Sequence, residues 1–393
     1  MNEQYDIVIA GAGPAGVAAA ITAARYGCSV LLVESSDKAG GTVAGSLIHT
    51  LGGLFDDSGN LLNHGLSEEL CQRLQNASQS VVKRRIGRTW CLAVDPAIFR
   101  QKLEDWLSEE DLILLQTKSR VTAGCLNSDN LFQLKLELDG QPVCLNAGAV
   151  IDATGAAALV RLLAPESVLD PLERAAAGLI LRLQGCDSSA LNFPGGIEII
   201  HSIRKACQAG ELSSIAGSAW LDTGLLPDEV FVKLALPLPE TENPEKDKML
   251  VEQADEACVA ITGFLRQYPV FRNAYCVEYG RIGLRDGSVI RGVTCLTEAD
   301  LLGCVIGPET ACLGAWPLEY WDKSAGPQLR YLPPGGRYGI PVGCLKVAGH
   351  HRLWAAGKCL SAEPEAQASV RVAGCCWATG DAVGRAAAEE LKG

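Results

Sequence analysis

Apolar residues along this chain come in short continuous runs separated by small-residue helical stretches, the pattern of a parallel sheet buried on both faces. Tyr5-Asp6-Ile7-Val8-Ile9-Ala10 is the first run and Ser29-Val30-Leu31-Leu32-Val33 the second. Between them, residues 17–26 are rich in alanine and predict a helix that Gly27 stops. Residues 95–109 have the spacing of an amphipathic helix. Residues 112–115 then start a strand, and residues 131–138 continue with alternating character. With residues 142–145 they read as a small β meander inserted in a first domain. Ala149-Val150-Ile151-Asp152-Ala153-Thr154-Gly155 is another buried run, ending in a glycine turn. Residues 165–340 differ: mixed strands, an acidic proline-rich loop over 238–248, and a long helix over 250–268. The end of the chain returns to a strand and turn, Leu353-Trp354-Ala355-Ala356-Gly357, a loop over 361–366, and a helix of small residues over 375–391. The predicted fold is α/β, with a discontinuous Rossmann-like domain of parallel sheet plus β meander and a second, mixed α+β domain. The expected division is 1–164 and 341–393 for the nucleotide domain and 165–340 for a substrate or cap domain.

Between the first two runs, Gly11-Ala12-Gly13-Pro14-Ala15-Gly16 matches G-x-G-x-x-G, and Glu34 closes the second strand. Gly11 permits the tight turn, Gly13 lets backbone approach a pyrophosphate, and Gly16 lets helix and strand pack closely. The helix N-terminus then faces the phosphates, and Glu34 can accept from both ribose hydroxyls. Gly40-Gly41-Thr42, just past the second strand, lets backbone pass close to a bound cofactor.

Composition narrows the partners. The chain has 393 residues, 48% of them apolar and 20% charged, enough for a large core. Its net charge of −12 argues against nucleic acid, because phosphate contacts need a basic face. The cluster Lys83-Arg84-Arg85 with Arg88 reads as a solvated surface run. Sixteen cysteines contain no CxxC pair and no zinc spacing, so no metal site is expected and the thiols read as buried and reduced. A strand starts almost at the N-terminus and no apolar run reaches membrane-span length, which predicts a soluble cytoplasmic protein without signal peptide or membrane partner.

A dinucleotide site could hold NAD or FAD. The C-terminal return to a second glycine turn and helix N-terminus suits FAD, since a helix dipole there favours negative charge on the reduced ring. The chain resembles the FAD-dependent oxidoreductase family with the glutathione-reductase type of flavin fold. The resemblance rests on GAGPAG with Glu34, Gly40-Gly41, IDATG (Ile151 to Gly155), the stretch over 264–302, Trp316-Pro317, YGIPVGCL (Tyr338 to Leu345) and LWAAGKCLSAEPEAQASVRV (Leu353 to Val372). It implies that Glu34, with Ser35 after it, binds the adenosine ribose and that Ala153, Thr154 and Gly155 line the adenine side. It also implies that Gly357 and the Ser361 loop approach the ribityl-pyrophosphate. Arg371, Val372, Ala373 and Gly374 would wrap the flavin pyrimidine edge. Many flavoproteins of this fold carry Gly-Asp at the second turn; here it is Gly357-Lys358. Relatives often read Arg-Glu-Ser-Arg-Arg where this chain has Arg285-Asp286-Gly287-Ser288-Val289, and a histidine after Trp-Pro where it has Leu318.

A flavin site needs substrate placed over N5 and one proton moved. His49, in a small-residue segment expected beside the flavin, is a candidate general base, or else a histidine bonded to a carbonyl. Arg281, Arg285 and Arg291 could clamp a carboxylate or stabilise anionic flavin, or form salt bridges to Asp286 and Glu278; Arg285 is the preferred functional member. Tyr338 could donate a proton or pack in the core. Cys359, Cys375 and Cys376 fall near the flavin and read as packing residues.

The first functional reading is an FAD-dependent enzyme that moves hydride between a small organic substrate and flavin N5, as a dehydrogenase or oxidase. The absence of a second G-x-G-x-x-G argues against a pyridine-nucleotide–disulfide reductase and leaves NAD(P)H or a protein as possible electron donors. The alternative is a flavin monooxygenase using NAD(P)H and O2, because residues 153–161 are similar to the Asp-Gly…Arg motif of aromatic hydroxylases, with Thr154 in place of the Asp. A flavin-binding protein that acts by association is a third.

Overall fold

In the computed structural model, the residues described are 3–138, 140–171, 175–237, 244–322 and 326–393. The first apolar run is a strand, Gln4–Ala10, in the middle of a parallel array. It pairs with Val30–Val33 on one side and with Gln141–Asp152 on the other, with Ile9 opposite Leu32 and Ile151. Ile113–Gln116 extends the array beyond Val30–Val33, and Leu353–Ala355 pairs with the end of Gln141–Asp152. Strand order therefore reverses beside Gln4–Ala10, which opens a crevice at the carboxyl ends of the strands.

Two expectations are corrected here. Ile113–Gln116 is a parallel edge strand and not part of the meander, which is made of Ser119–Leu126, Phe132–Leu138 and the first half of Gln141–Asp152. The runs at 142–145 and 149–152 are one strand of 12 residues, antiparallel to the meander at its start and parallel to Leu353–Ala355 at its end.

The helix after the glycine turn, Pro14–Arg25, is buried along nearly its whole length, which explains its alanines. It lies against the closing helix, Ala373–Lys392, which starts two residues before the expected span. The contact is backbone to backbone: a Cβ on Gly380 would lie 2.1 Å from the Ala15 carbonyl oxygen, and one on Gly384 2.5 Å from that of Ala19.

A second, antiparallel sheet runs in the order Trp220–Thr223, Glu229–Leu236, Ala177–Gln184, Tyr275–Tyr279. Its alternation separates two faces. Leu179, Leu181, Val230 and Val232 pack with helices Gly195–Gln208 and Pro244–Leu265 in their own core. Ile180 and Phe231 point the other way, onto Leu47 and Ile48 of the nucleotide-binding part. This second core draws on residues 177–274, whereas Leu296, Leu318, Tyr338 and Ile340 join the first core. The long helix begins at Pro244, so residues 244–248 of the expected acidic loop are helical; residues 238–243 lie outside the described residues.

Candidate functional site

The crevice at the strand ends holds a cavity of about 580 Å³, a size usual for small-molecule and cofactor sites. The glycine turn forms its floor. Gly11 has φ +99°, open only to glycine, and donates its N–H to the Val33 carbonyl at 2.7 Å. Gly13 is the N-cap of helix Pro14–Arg25 with no side chain capping it, so the first-turn N–H groups face the cavity. Gly41 comes so close that a Cβ on it would lie 2.8 Å from Gly13 Cα. Thr42 and Ser46 continue that wall, and Gly40, at φ +104°, caps the short helix Gly41–Gly45 behind it.

At one end, the buried carboxylate of Glu34 accepts from Ala12 N and Ser36 N, both at 2.8 Å, and from Ser35 Oγ at 3.2 Å. Ser35 also lines the cavity there. The same end is closed by Ser119, Arg120 and Val121 of the meander, tied on by Ser119 N to the Glu34 carbonyl at 2.9 Å. These three residues had no sequence signal, because an edge strand brings them in by pairing.

The turn after Gln141–Asp152 places Ala153, Thr154 and Gly155 in the wall. It is shaped by Asp152, which is fully buried. Asp152 Oδ1 accepts from Thr154 N at 2.9 Å and Thr154 Oγ1 at 2.7 Å, and Oδ2 from Val160 N at 2.9 Å. Burial pushes the Asp152 carboxyl above the usual carboxylate range.

Gly357, Lys358 and Arg371 also line the cavity, as does Arg281, whose backbone N–H donates to the Gly45 carbonyl at 2.7 Å. The Arg371 guanidinium pairs with Asp286 and donates to the Glu319 carbonyl at 2.6 Å. Burial, and then nearby Arg285, push Arg371 down to about 9. Ser361, Val372, Ala373 and Gly374 are not among the residues that line the cavity. Ser361 is buried, and Gly374 donates its N–H to the Gly52 carbonyl at 2.8 Å, with Val372 against Gly53.

The three candidate catalytic residues lie elsewhere. His49 is fully buried, its ring stacked on Phe231 at a centroid distance of 3.8 Å. Neither ring nitrogen has a hydrogen-bond partner, and Nε2 is 3.7 Å from Asp222 Oδ2. Burial, reinforced by Lys233, pushes the imidazole down to about 3. A ring so placed does not line the cavity, and held down to about 3 it is too weak a base to take a proton near neutral pH, which corrects the expectation of a base beside the flavin. Tyr338 is likewise fully buried, its hydroxyl 2.7 Å from Ser369 Oγ, and it packs in the core. Arg285 is half-buried outside the cavity wall. It donates to the Ala176 carbonyl at 2.5 Å and lies 4.1 Å over the Trp321 ring. Burial pushes it down to about 10. The expected salt bridges go elsewhere: Asp286 pairs with Arg371, and Glu278 with Arg182.

Among the other expectations, Lys83, Arg85 and Arg88 of the basic cluster are exposed, as a surface run would be, but Arg84 is not. Arg84 donates to Thr223 O at 2.8 Å and Gly224 O at 2.9 Å, stitching the two parts together. All sixteen cysteines are free; Cys359 and Cys375 are buried and Cys376 lines the cavity. Among the described residues, no group of side chains could hold a metal ion, and no helix is long and apolar enough to cross a membrane.

A cavity floored by an uncapped helix N-terminus, with the Glu34 carboxylate in its wall and Gly41 too close to Gly13 to carry a Cβ, has the room and the donors for a dinucleotide. Fold and site together have the features of a dinucleotide-binding protein of the Rossmann type. The model of the FAD dependent oxidoreductase family matches residues 6–170 and 199–393, and the chain belongs to that family. It is an enzyme, and its cofactor is FAD. The digeranylgeranylglycerophospholipid reductase of Methanosphaerula palustris is 29% identical over 161 residues, 39% of each chain. Digeranylgeranylglycerophospholipid reductase 1 of Methanococcoides burtonii is 55% identical over 40 residues, 10% of each. The chain thus spans well under half the length of these curated relatives. Among solved structures, the chain is similar to a geranylgeranyl bacteriochlorophyll reductase-like protein from Thermoplasma acidophilum. They are 14% identical with TM-score 0.45, covering 99% of this chain and 78% of that one. Similarity to the anhydrotetracycline hydroxylase OxyS from Streptomyces rimosus is 14% identity with TM-score 0.46, covering 91% and 56%.

Proposed function

We propose that this FAD-dependent oxidoreductase takes hydride from a small organic substrate, as a dehydrogenase or oxidase. When bound, FAD supplies reversible two-electron hydride chemistry at its isoalloxazine ring. The residues proposed to hold it are Glu34 and Ser35 at the adenosine ribose and the N–H groups of the Gly11–Gly16 turn at the diphosphate. Gly41 and Thr42 would flank the ribityl chain, with Ala153, Thr154 and Gly155 on the adenine side. The observation that carries the hydride-acceptor reading is the cationic lining of the cavity, to which Arg281, Lys358 and Arg371 contribute. Hydride transfer to bound FAD would add one negative charge, and cationic side chains on the cavity wall would favour that outcome. The substrate would enter where Ser46 and Arg281 meet, beside the antiparallel sheet that we propose as the substrate-side body.

Two expected outcomes check this reading. Glu34→Ala should weaken FAD binding about ten- to a hundredfold, the size of losing hydrogen bonds to a charged acceptor, as read by titrating apoprotein with FAD. In anaerobic titration of the holoprotein, NADH and NADPH should leave the visible flavin band unchanged while dithionite bleaches it. Rapid bleaching by either nicotinamide would overturn the reading and put a monooxygenase or NAD(P)H-dependent reductase in its place.

A further inference from the structure

The ionisable side chains that line the cavity are Glu34, Arg120, Arg281, Lys358 and Arg371. Four of them have partners within the protein. The Glu34 carboxylate accepts two backbone N–H bonds and one hydroxyl bond, Arg120 pairs with Glu137, Arg371 pairs with Asp286, and Lys358 Nζ donates to the Leu284 carbonyl at 2.6 Å. The Arg281 guanidinium, exposed while lining the cavity, has no hydrogen-bond or ion-pair partner among the described residues. It is nevertheless held in one place. A Cβ on Gly45 would lie 2.8 Å from Arg281 Nε and 2.9 Å from its Cζ, so the guanidinium rests on the bare backbone of that glycine. Two more glycines let the segment that carries it come down onto Ser46. A Cβ on Gly280 would lie 2.6 Å from the Ser46 carbonyl carbon, and one on Gly283 3.0 Å from Ser46 Oγ. Backbone bonds then tie the segment to both parts of the molecule. Arg281 N donates to the Gly45 carbonyl at 2.7 Å, Gly280 N to the Ile180 carbonyl at 2.9 Å, and Gly178 and Gly283 exchange two bonds at 2.8 Å. A solvated surface arginine needs none of this close packing.

We propose that Arg281 recognises a carboxylate on the substrate, which makes the substrate class an organic acid. Calling that ligand the substrate rests on the hydride-acceptor reading; the binding itself needs only FAD-loaded protein. A guanidinium stays charged at every pH the protein meets, and its N–H donors form a planar fork that matches a carboxylate two bonds at a time. Here the fork is fixed in position and its donors are open, so an anion gains both charge and hydrogen bonds without first displacing a protein carboxylate. The cofactor's diphosphate has a seat of its own at the glycine turn. Gly41, the first residue of the short helix Gly41–Gly45, abuts Gly13, whereas Arg281 rests on Gly45, the last. Four residues of helix put about 6 Å between the two ends. Arg281 is therefore set apart from the phosphate seat, on the side where the antiparallel sheet meets the nucleotide-binding part.

The test is calorimetric titration of FAD-loaded protein with acetate and benzoate, and with their neutral counterparts acetamide and benzamide, for wild type, R281Q, R281K and G45A. Wild type should bind at least one of the acids, and the matching amide at least about tenfold more weakly. R281Q should bind that acid about ten- to a hundredfold more weakly, the size of losing a hydrogen bond between charged groups. R281K should recover part of the loss, because it restores the charge without the fork. G45A keeps the guanidinium but sets a methyl where it rests, so acid binding should weaken there as well. FAD affinity should stay at the wild-type value in R281Q. No heat from either acid in wild type, equal affinity for acid and amide, or wild-type acid binding in R281Q or G45A overturns the proposal. A loss of FAD affinity in R281Q overturns it too, by putting Arg281 on the cofactor's diphosphate. Inorganic phosphate bound more tightly than either acid overturns the carboxylate assignment in favour of a phosphate ester. No electron moves in these titrations, so they fail or succeed independently of the NAD(P)H titration above.

Discussion

Gly13→Ala is expected to weaken FAD binding by a hundredfold or more while the apoprotein keeps its melting temperature, whereas Gly16→Ala is expected to destabilise the fold itself. The two glycines look alike in the motif but have different surroundings. A Cβ on Gly13 would meet nothing closer than Gly41 Cα at 3.7 Å, an ordinary contact, and its φ of −74° suits any residue. The methyl would stand instead in the gap over the helix N-terminus, where a diphosphate must come close to the N–H groups. Losing two charge-assisted hydrogen bonds there costs roughly 3 kcal/mol or more, hence about a hundredfold or greater. A Cβ on Gly16 would lie 1.8 Å from the Gly11 carbonyl oxygen, with Ala153 Cβ at 3.2 Å. Gly11 cannot retreat, because its own missing Cβ already faces the Ala153 carbonyl oxygen at 2.5 Å. Separation of helix from strand should cost upwards of about 4 kcal/mol, at the severe end of single substitutions. Urea melts of both apoproteins together with FAD titrations check the pair. A Gly13→Ala protein that binds FAD normally would show that the cofactor's phosphates do not lie over this turn.

Acidification should destabilise the protein between about pH 6.5 and 3 through His49, with a contribution near 2 kcal/mol by pH 5. The sign follows from where the proton binds. In the unfolded chain His49 has its ordinary value near 6.5; in the fold it is held down to about 3 by burial and then by Lys233. Below pH 6.5 the unfolded chain takes up a proton that the folded chain refuses, so stability falls as pH falls, by about 1.4 kcal/mol per unit. Asp222 adds little in this window. Burial opposes its charge, but Lys233 at 2.5 Å holds its carboxyl below the usual carboxylate range, so its loss comes at lower pH. His49→Phe should keep the stack on Phe231 and lose the extra slope, seen in urea melts of both proteins from pH 7.5 to 5. Parallel slopes for wild type and variant would mean that His49 is protonated in the folded protein.

The nucleotide-binding turn was legible because its logic is local. Gly11, Gly13, Gly16 and Glu34 lie on one strand–helix–strand unit, and their roles follow from spacing within it. Lys358 was visible too, as a lysine at a turn where many proteins of this fold have aspartate, though not what its side chain reaches. His49 was misjudged because its surroundings come from Phe231, Asp222 and Lys233, on strands far along the chain. A short segment of small residues says nothing of a distant ring that will stack on it. Tyr338 fits the core for a similar reason: its hydroxyl partner, Ser369, comes from a separate helix. Ser119, Arg120 and Val121 close the cavity only because the meander pairs in one register, which puts Ser119 opposite Leu138.

By itself, then, the sequence determined the α/β class, the glycine turn and the dinucleotide chemistry that follows from it. Those features depend on hydrophobic period, on glycine's freedom at Gly11 and on contacts among residues close along the chain. The tertiary structure decided which charges meet in the cavity, and it removed His49 and Tyr338 from the candidate chemistry. It also set the second core within residues 177–274 and sent residues 296–340 to the first. The physical reason is that burial, desolvation and ion pairing depend on what packs against a side chain. For these residues that partner lies on a strand or helix far away in the chain.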